Sequence, residues 1–260
     1  MRALLLAAGY GTRLQPLTIN WPKCLMPIGD KPLLEYWLEI LFQNNINEVL
    51  VNLHYLSEIV KEFLERPLFN NWVKYVYETE LLGTAGTLRA NYDYFKDESV
   101  LLIHSDNWCQ CNFSDFINFH KSLRPSETSI TMMTFNTDSP KTCGIVECDN
   151  KGIVLDFHEK VNNPPGNIAN AAVYILEPEV LNWLKKHPEI NDFSTEVLPA
   201  WIGHIATWHN DKIHRDIGTI DSLQQAQKDP IPKAIWKEKD FWSEKFLKNP
   251  IHKKIKMQGG

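Results

Sequence analysis

The chain has 260 residues, with 27 Lys and Arg against 32 Asp and Glu, so its formal net charge is −5. Hydrophobic residues make up 43 %, charged residues 23 % and aromatics 11 %. That balance excludes a collagenous, coiled-coil or wholly disordered chain, and the mild acidity argues against nucleic acid as the main partner.

Arg2 to Ala7 is a short apolar run ending in a glycine turn, and it reads as a buried strand. Its start imitates a signal peptide. Gly9 and Arg13 interrupt it and no cleavage pattern follows, so a cytoplasmic location is expected. No apolar run approaches the roughly 20 residues of a membrane span. Leu33 to Phe42 has helical periodicity, with Pro32 in its first turn. Glu48 to Leu53 reads as a strand and Ser57 to Leu64 as a helix with Ser57 as N-cap. Val73 to Tyr77 reads as a strand and Thr84 to Phe95 as a helix. Val100 to Ile103 is apolar throughout, as a strand covered on both faces is, and Ser114 to Lys121 is helical again.

This alternation predicts βαβ units and a Rossmann-like α/β fold, doubly wound on a mainly parallel mixed sheet. Ligands in such sheets bind beyond the carboxyl ends of the strands. The turn after Ala7 and the segment Ser105-Asp106-Asn107 stand at such ends. Farther on, Thr128 to Phe135, Gly144 to Cys148, Ile153 to His158 and Ala171 to Leu176 are short strand candidates. Asp149 to Gly152 makes a hairpin turn between two of them. The expected division is a body, 1–228, and a tail, 229–260. The tail carries eight lysines against four acids, so it is net +4 and the body about −9. Trp236, Phe241, Trp242 and Phe246 in the tail predict a short helix packing its aromatics inward, with a solvated basic face. The five cysteines are an odd number without a CxxC pair, which favours reduced thiols over a zinc site at Cys109, Cys111, Cys143 and Cys148.

The strongest motif is Leu6-Ala7-Ala8-Gly9-Tyr10-Gly11-Thr12-Arg13-Leu14-Gln15-Pro16-Leu17-Thr18, followed by Pro22-Lys23-Cys24-Leu25-Met26-Pro27. A glycine turn after a strand lets backbone N–H groups approach phosphate oxygens. Arg13 adds a bidentate phosphate donor and Lys23 a compact second charge. A dinucleotide fingerprint would need glycine at Leu14, and a Walker loop would need Gly-Lys-Ser/Thr, so neither applies.

This pattern resembles the sugar-1-phosphate nucleotidyltransferases, from Met1 to about Gln227. The resemblance implies a fold of the nucleotide-diphospho-sugar transferase type and Mg²⁺ as cofactor. It implies that Leu6, Ala8, Gly9, Gly11 and Thr12 hold the nucleotide phosphates, that Arg13 binds the leaving pyrophosphate, and that Lys23 stabilises charge in the transfer. Gly83 and Thr84, in Gly83-Thr84-Ala85-Gly86, match the segment that contacts base and ribose. Ser105 and Asp106 match a nucleotide contact and a metal ligand, and Asp216 in Arg215-Asp216-Ile217-Gly218-Thr219 matches the second ligand. Gly144, Glu159, Lys160 and Asn170 match the sugar-phosphate side. On residue type alone, Asp106 serves equally as a helix N-cap, Asp216 as a turn residue, Lys160 as a solvated lysine and Asn170 as a strand-edge partner. The sequence departs from the family at His104-Ser105, where Gly is more usual before the Asp. It departs also at Cys143, where relatives often carry Tyr, and at Ala172, where they often carry Gly.

The segment Leu82 to Gly86 is most similar to members that use GTP on mannose- or heptose-1-phosphate, and the Gln that glucose-type thymidylyl- and uridylyltransferases place nearby has no match. The partners expected are therefore GTP and a sugar-1-phosphate, with self-association left open. The alternatives are uridylyl or thymidylyl transfer, or a nucleotide-sugar sensor without catalysis. The presence of Arg13, Lys23, Asp106, Lys160 and Asp216 together argues against the sensor. The tail has no hexapeptide repeat, so no left-handed β-helix module is expected.

Overall fold

A computed structural model of the chain describes residues 1–236 and 239–258. The strands, in chain order, are β1 (Arg2–Leu6), β2 (Pro27–Ile28), β3 (Lys31–Pro32), β4 (Val49–Leu53), β5 (Val73–Tyr77), β6 (Val100–His104), β7 (Asn107–Cys109), β8 (Ile130–Asn136), β9 (Gly144–Cys148), β10 (Val154–Glu159), β11 (Ile168–Leu176), β12 (Ile205–Asn210) and β13 (His214–Asp216). Contacts divide the chain into two units. The first is Met1–Leu4, Leu81–Ile103 and Gln110–His214, and the second is Leu5–Glu80, His104–Cys109 and Arg215–Gly260. The division runs through β1.

In the second unit, β4 and β5 run parallel from Val49↔Val73 to Leu53↔Tyr77, joined by the helix Ser57–Leu64 as a βαβ unit. All five residues of β4 are buried, whereas β5 exposes Lys74, Tyr75 and Tyr77. Charge on such an outer strand discourages edge-to-edge pairing. Two helix starts differ from the sequence reading. Leu56, at φ 51°, is the cap residue before Ser57, so Ser57 is the first helical residue. Pro32 is extended and precedes the helix Leu33–Gln43, where its missing N–H costs nothing. That helix buries Leu33, Leu34, Trp37, Leu38 and Leu41.

Among the described residues, the tail forms two helices, Phe241–Leu247 and Ile251–Met257, rather than one, with Pro250 between them. Trp242 packs on Phe63 with centroids 4.9 Å apart, and Phe246 stacks on Trp21 at 5.9 Å. Arg66 is 5 % exposed and ties the segment down. Its guanidinium donates to Glu35 at 2.6 Å and to Asp240 at 2.7 Å, and it lies against the rings of Phe63, Phe69 and Trp242. A buried cation is tolerable only with such partners. Phe241 is exposed, unlike the other tail aromatics in these helices, as are Lys245, Lys248, Lys253, Lys254 and Lys256.

In the first unit, β6 pairs antiparallel with β11, β11 antiparallel with β8, and β8 parallel with β12. The hairpin β9–β10 turns at Gly152, whose φ of 79° suits glycine, and joins β11 at Ala169↔Ile145. The mixed α/β sheet expected from the sequence is thus present in the structure. The helix expected over 84–95 is two pieces, Thr84–Ala90 and Tyr92–Phe95. The side chain of Asn91 donates back to the Thr87 carbonyl at 2.9 Å and breaks the run. The helix expected from Ser114 begins at Phe113 and passes into a wider π turn at Phe119–Leu123.

Candidate active site

The glycine motif leaves β1 after Leu6 and enters the short 3-10 turn Thr12–Leu14. Gly11 is left-handed, at φ 63° and ψ 32°. A Cβ there would lie 2.9 Å from Thr18 Cγ2 and 3.1 Å from Lys23 Cβ, so the position requires glycine on both conformation and space. Its carbonyl accepts the Thr18 hydroxyl at 2.8 Å and the Leu14 N–H at 2.9 Å, which folds the loop back on itself. Gly9, Tyr10, Thr12 and Arg13 are exposed, while Ala8 is buried. Leu6 is tied from behind. Its carbonyl accepts both the N–H of Ser105 at 3.2 Å and the Ser105 hydroxyl at 2.7 Å. Ser105 is fully buried, so in this structure it holds the strand end from which the loop departs.

Four charged side chains of the second unit converge beside this loop. Lys23, 8 % exposed, places Nζ 2.6 Å from Asp106 Oδ2 and 3.0 Å from Asp216 Oδ1. Arg13 donates to the other Asp216 oxygen at 3.0 Å. Asp106 lies in the turn between β6 and β7, and Asp216 ends β13, which pairs with β7. The N–H of Ile217 donates to the Asp106 carbonyl at 3.0 Å and fixes the two segments side by side. Neither bland alternative describes these residues: a strand, not a helix, follows Asp106, and the Asp216 carboxylate is engaged by two cations. Burial pulls the Lys23 ammonium down, but the two carboxylates outweigh it and hold its pKa above the ordinary value. Burial pushes the Asp106 carboxyl up, and Lys23, His104 and a main-chain N–H outweigh it, so Asp106 lies below the ordinary carboxylate range.

Two carboxylates that already converge on one cation are a hard-oxygen donor pair, and that chemistry fits a divalent cation such as Mg²⁺. Among the described residues, the group of three or more close His, Cys, Asp or Glu donor atoms is a different one, Glu147, Asp156 and His158 on the surface of β9–β10. The five cysteines are all free, Cys24 and Cys109 being buried. Burial pushes the Cys24 thiol up to about 12.

The remaining site residues from the sequence belong to the first unit. Gly83 has φ 78°, and a Cβ there would collide with the Asn191 carbonyl. That carbonyl accepts the N–H groups of Ala85 at 2.9 Å and Gly86 at 3.3 Å. The Thr84 hydroxyl accepts the Phe193 N–H at 2.6 Å. Gly144 opposes Glu159 in the β9–β10 register, and a Cβ there would lie 2.5 Å from Glu159 Oε2 and from the Phe157 ring. Glu159 Oε1 pairs with Lys160 Nζ at 2.6 Å, and Lys160, at φ 50°, donates its N–H to the Cys143 carbonyl at 3.1 Å. Asn170 stands one residue beyond the Ala169↔Ile145 pair, so Gly144, Glu159 and Asn170 meet at one level of the sheet. Asn170 Nδ2 donates to the Tyr174 hydroxyl at 2.6 Å, and its Oδ1 accepts the Ala172 N–H at 2.9 Å. These bonds shape an irregularity in β11 between Asn170 and Tyr174, where Ala172 takes φ 53°. A left-handed backbone favours glycine, so alanine is strained at this position.

The sequence reading missed Gly218, where a Cβ would lie 2.6 Å from both Arg13 Nη2 and Asp216 Oδ2. It missed Asn52 also, although a lone amide inside the apolar run Val49-Leu50-Val51-Asn52-Leu53 was the available signal.

The nucleotidyl transferase family model matches residues 2–231. The chain is 33 % identical over 204 residues to the mannose-1-phosphate guanylyltransferase catalytic subunit beta of Dictyostelium discoideum, covering 77 % of this chain and 55 % of that one. It is 31 % identical over 194 residues to the mannose-1-phosphate guanyltransferase of Saccharomyces cerevisiae, covering 72 % and 53 %. The chain therefore spans about half the length of these curated relatives. Among solved structures, a putative glucose-1-phosphate thymidylyltransferase from Bacillus anthracis superposes with a TM-score of 0.79 at 21 % identity, covering 90 % of this chain and 98 % of that one. HddC from Yersinia pseudotuberculosis, complexed with GMP-PN, gives 0.73 at 22 % identity, covering 87 % and 98 %. At those identities the likeness concerns the fold. Among the described residues, no helix is long and apolar enough to cross a membrane.

Proposed function

The chain belongs to the nucleotidyl transferase family, and from that premise we propose that it transfers GMP from GTP onto a sugar-1-phosphate. Mannose-1-phosphate is the favoured acceptor, since the relatives above are named for it. The observation that carries the reading is the convergence of Arg13, Lys23, Asp106 and Asp216 beside a glycine loop at the end of a strand.

A sugar-phosphate oxygen attacks the α-phosphorus of GTP, the bond to the β-phosphate oxygen breaks, and pyrophosphate leaves with that electron pair. The nucleophile is already ionised, so no general base is required, and the protein's task is positioning and charge compensation. Asp106 and Asp216 hold Mg²⁺, which when bound screens the negative charge of the reacting phosphates. Arg13 and Lys23 take up the charge that moves onto the leaving pyrophosphate. The backbone of Ala8, Gly9, Gly11 and Thr12 holds the nucleotide phosphates, and Gly83 and Thr84 the base and ribose. Lys160 takes the sugar phosphate. Glu159 and Asn170 border the sugar, and the absence of a side chain at Gly144 leaves room for Glu159. Residues 1–228 form the catalytic body, which 229–260 braces through Trp242, Phe246 and Asp240. Five free cysteines fit work in the cytoplasm.

The test is pyrophosphate release with GTP, UTP, dTTP, CTP or ATP against a panel of sugar-1-phosphates in the presence of Mg²⁺. Release with GTP and mannose-1-phosphate is expected. Release confined to UTP or dTTP moves the assignment to the uridylyl or thymidylyl alternative. No release from any pair, together with tight nucleotide-sugar binding, makes the chain a binding protein.

A further inference from the structure

Behind the glycine loop, a chain of hydrogen bonds runs through the next two strands of the second unit. Asn52, in β4, is 4 % exposed. Its Oδ1 accepts the N–H of Ala7 at 2.7 Å, and its Nδ2 donates to Glu78 Oε1 at 3.0 Å. Glu78 follows β5, is 5 % exposed, and donates its own N–H to the Leu53 carbonyl at 2.8 Å. Its carbonyl lies 2.8 Å from His54 Nδ1. A carbonyl can only accept, so Nδ1 carries the hydrogen, and in the neutral ring Nε2 is left as an acceptor. The Tyr10 hydroxyl donates to that Nε2 at 3.0 Å. Ala7 and Tyr10 are both loop residues. The loop is therefore held at two points, and both lines of support reach Glu78, one at its side chain and one at its main chain.

We propose that Glu78 is a positioning residue for the phosphate-binding loop, acting through Asn52 on the Ala7 N–H and through His54 on the Tyr10 hydroxyl. Its ligand, the nucleotide phosphates, rests on the function proposed above. A loop whose peptides are already oriented loses less freedom on binding, so its donors hold phosphate more tightly than those of a loose loop. The side-chain line has a direction that can be reversed. Along this line Asn52 Oδ1 accepts, Asn52 Nδ2 donates and Glu78 Oε1 accepts. In Asn52→Asp, one oxygen still accepts Ala7, but the other faces the Glu78 carboxylate as a like charge. Adding Glu78→Gln restores a donor opposite Asp and rebuilds the link with its polarity exchanged.

The experiment compares the parent chain with N52D, N52D/E78Q and Y10F by nucleotide KM and Kd, sugar-phosphate KM, thermal midpoint, and hydrogen exchange of the amides in residues 7–12. N52D is expected to raise nucleotide KM and Kd by about tenfold and to speed loop exchange, with sugar-phosphate KM unchanged. The double variant is expected to return both to within about threefold of the parent. Y10F alters an exposed residue, folds whatever N52D does, and should raise nucleotide Kd about two- to fivefold. Parent-like loop exchange in N52D overturns the proposal. So does a double variant as weak as N52D, an unmoved Kd despite faster exchange, or, should N52D not fold, an unchanged Kd in Y10F. A parent that neither binds nor turns over nucleotide refutes the proposed function instead, while loop exchange across the variants still decides the positioning.

Discussion

Replacing Lys23 with Met keeps the buried stem and removes the cation on which Asp106 and Asp216 converge. At 2.6 and 3.0 Å, each pair attracts by roughly 6 kcal/mol at an effective dielectric of about 20, before desolvation of the ammonium is subtracted. Removing one partner from a fully buried pair costs about 3–5 kcal/mol. Here the two carboxylate side chains are 36 % and 48 % exposed, so water can take the ammonium's place. The stability cost then falls to about 1–3 kcal/mol, part of it mutual repulsion of the carboxylates. Transition-state charge has no such substitute, and loss of a positioned charge-stabilising donor costs about 10²–10³ in kcat. The variant should therefore lose at least about a hundredfold in kcat while its thermal midpoint falls by only several degrees. It should also bind Mn²⁺ more tightly than the parent in the absence of substrate, because the ammonium no longer competes for the two carboxylates. Steady-state pyrophosphate release, thermal unfolding and Mn²⁺ titration check the three parts. A kcat within about tenfold of the parent would refute the role given to Lys23.

Three further outcomes are expected. Gly218→Ala places a methyl 2.6 Å from Arg13 Nη2 and Asp216 Oδ2, both on exposed side chains. It should lower kcat/KM about tenfold with stability within about 0.5 kcal/mol of the parent, and an unchanged kcat/KM would remove the Arg13–Asp216 pair from the reaction. Ala172→Gly relieves a left-handed alanine and should raise the thermal midpoint by up to a few degrees, the strain relieved being about 1–2 kcal/mol against about 0.5–1 kcal/mol of added chain entropy; a lower midpoint contradicts the strain. His120 is 2 % exposed, and burial, with Arg124 adding to it and Glu177 opposing, holds it down at about 4 against an ordinary 6.5. The unfolded chain binds the extra proton between those values, so this contribution is intact above 6.5 and is lost as pH falls toward 4, amounting to about 3 kcal/mol. His120→Gln should flatten the fall of thermal midpoint between about pH 7 and 5 relative to the parent, and an unaltered slope contradicts the buried neutral ring.

The residues of the charged cluster were legible because they sit in short, dense motifs whose types suit phosphate and metal chemistry. That Arg13, Lys23, Asp106 and Asp216 meet was legible only through the family pattern, since they are spread over most of the chain. Supporting groups left weaker traces. Ser105 looked like a ligand contact, but its buried hydroxyl ties down Leu6. Asn52 and Glu78 carry no motif, because a buried hydrogen-bond chain depends on which strand ends lie together. The cap before Ser57 was misread because left-handed Leu56 is a conformation that leucine's side chain does not advertise. The tail's aromatic pattern was readable, yet its anchor, Arg66, lies far away in sequence, where no motif marks it.

The proposed transfer of GMP proceeds by attack at the α-phosphorus. It is tested most directly by incubating the chain with mannose-1-phosphate, Mg²⁺ and GTP labelled at either the α- or the γ-phosphate. The α-label is expected in the sugar nucleotide and the γ-label in pyrophosphate. A γ-label in the sugar product, or in free orthophosphate without formation of a sugar nucleotide, would contradict it.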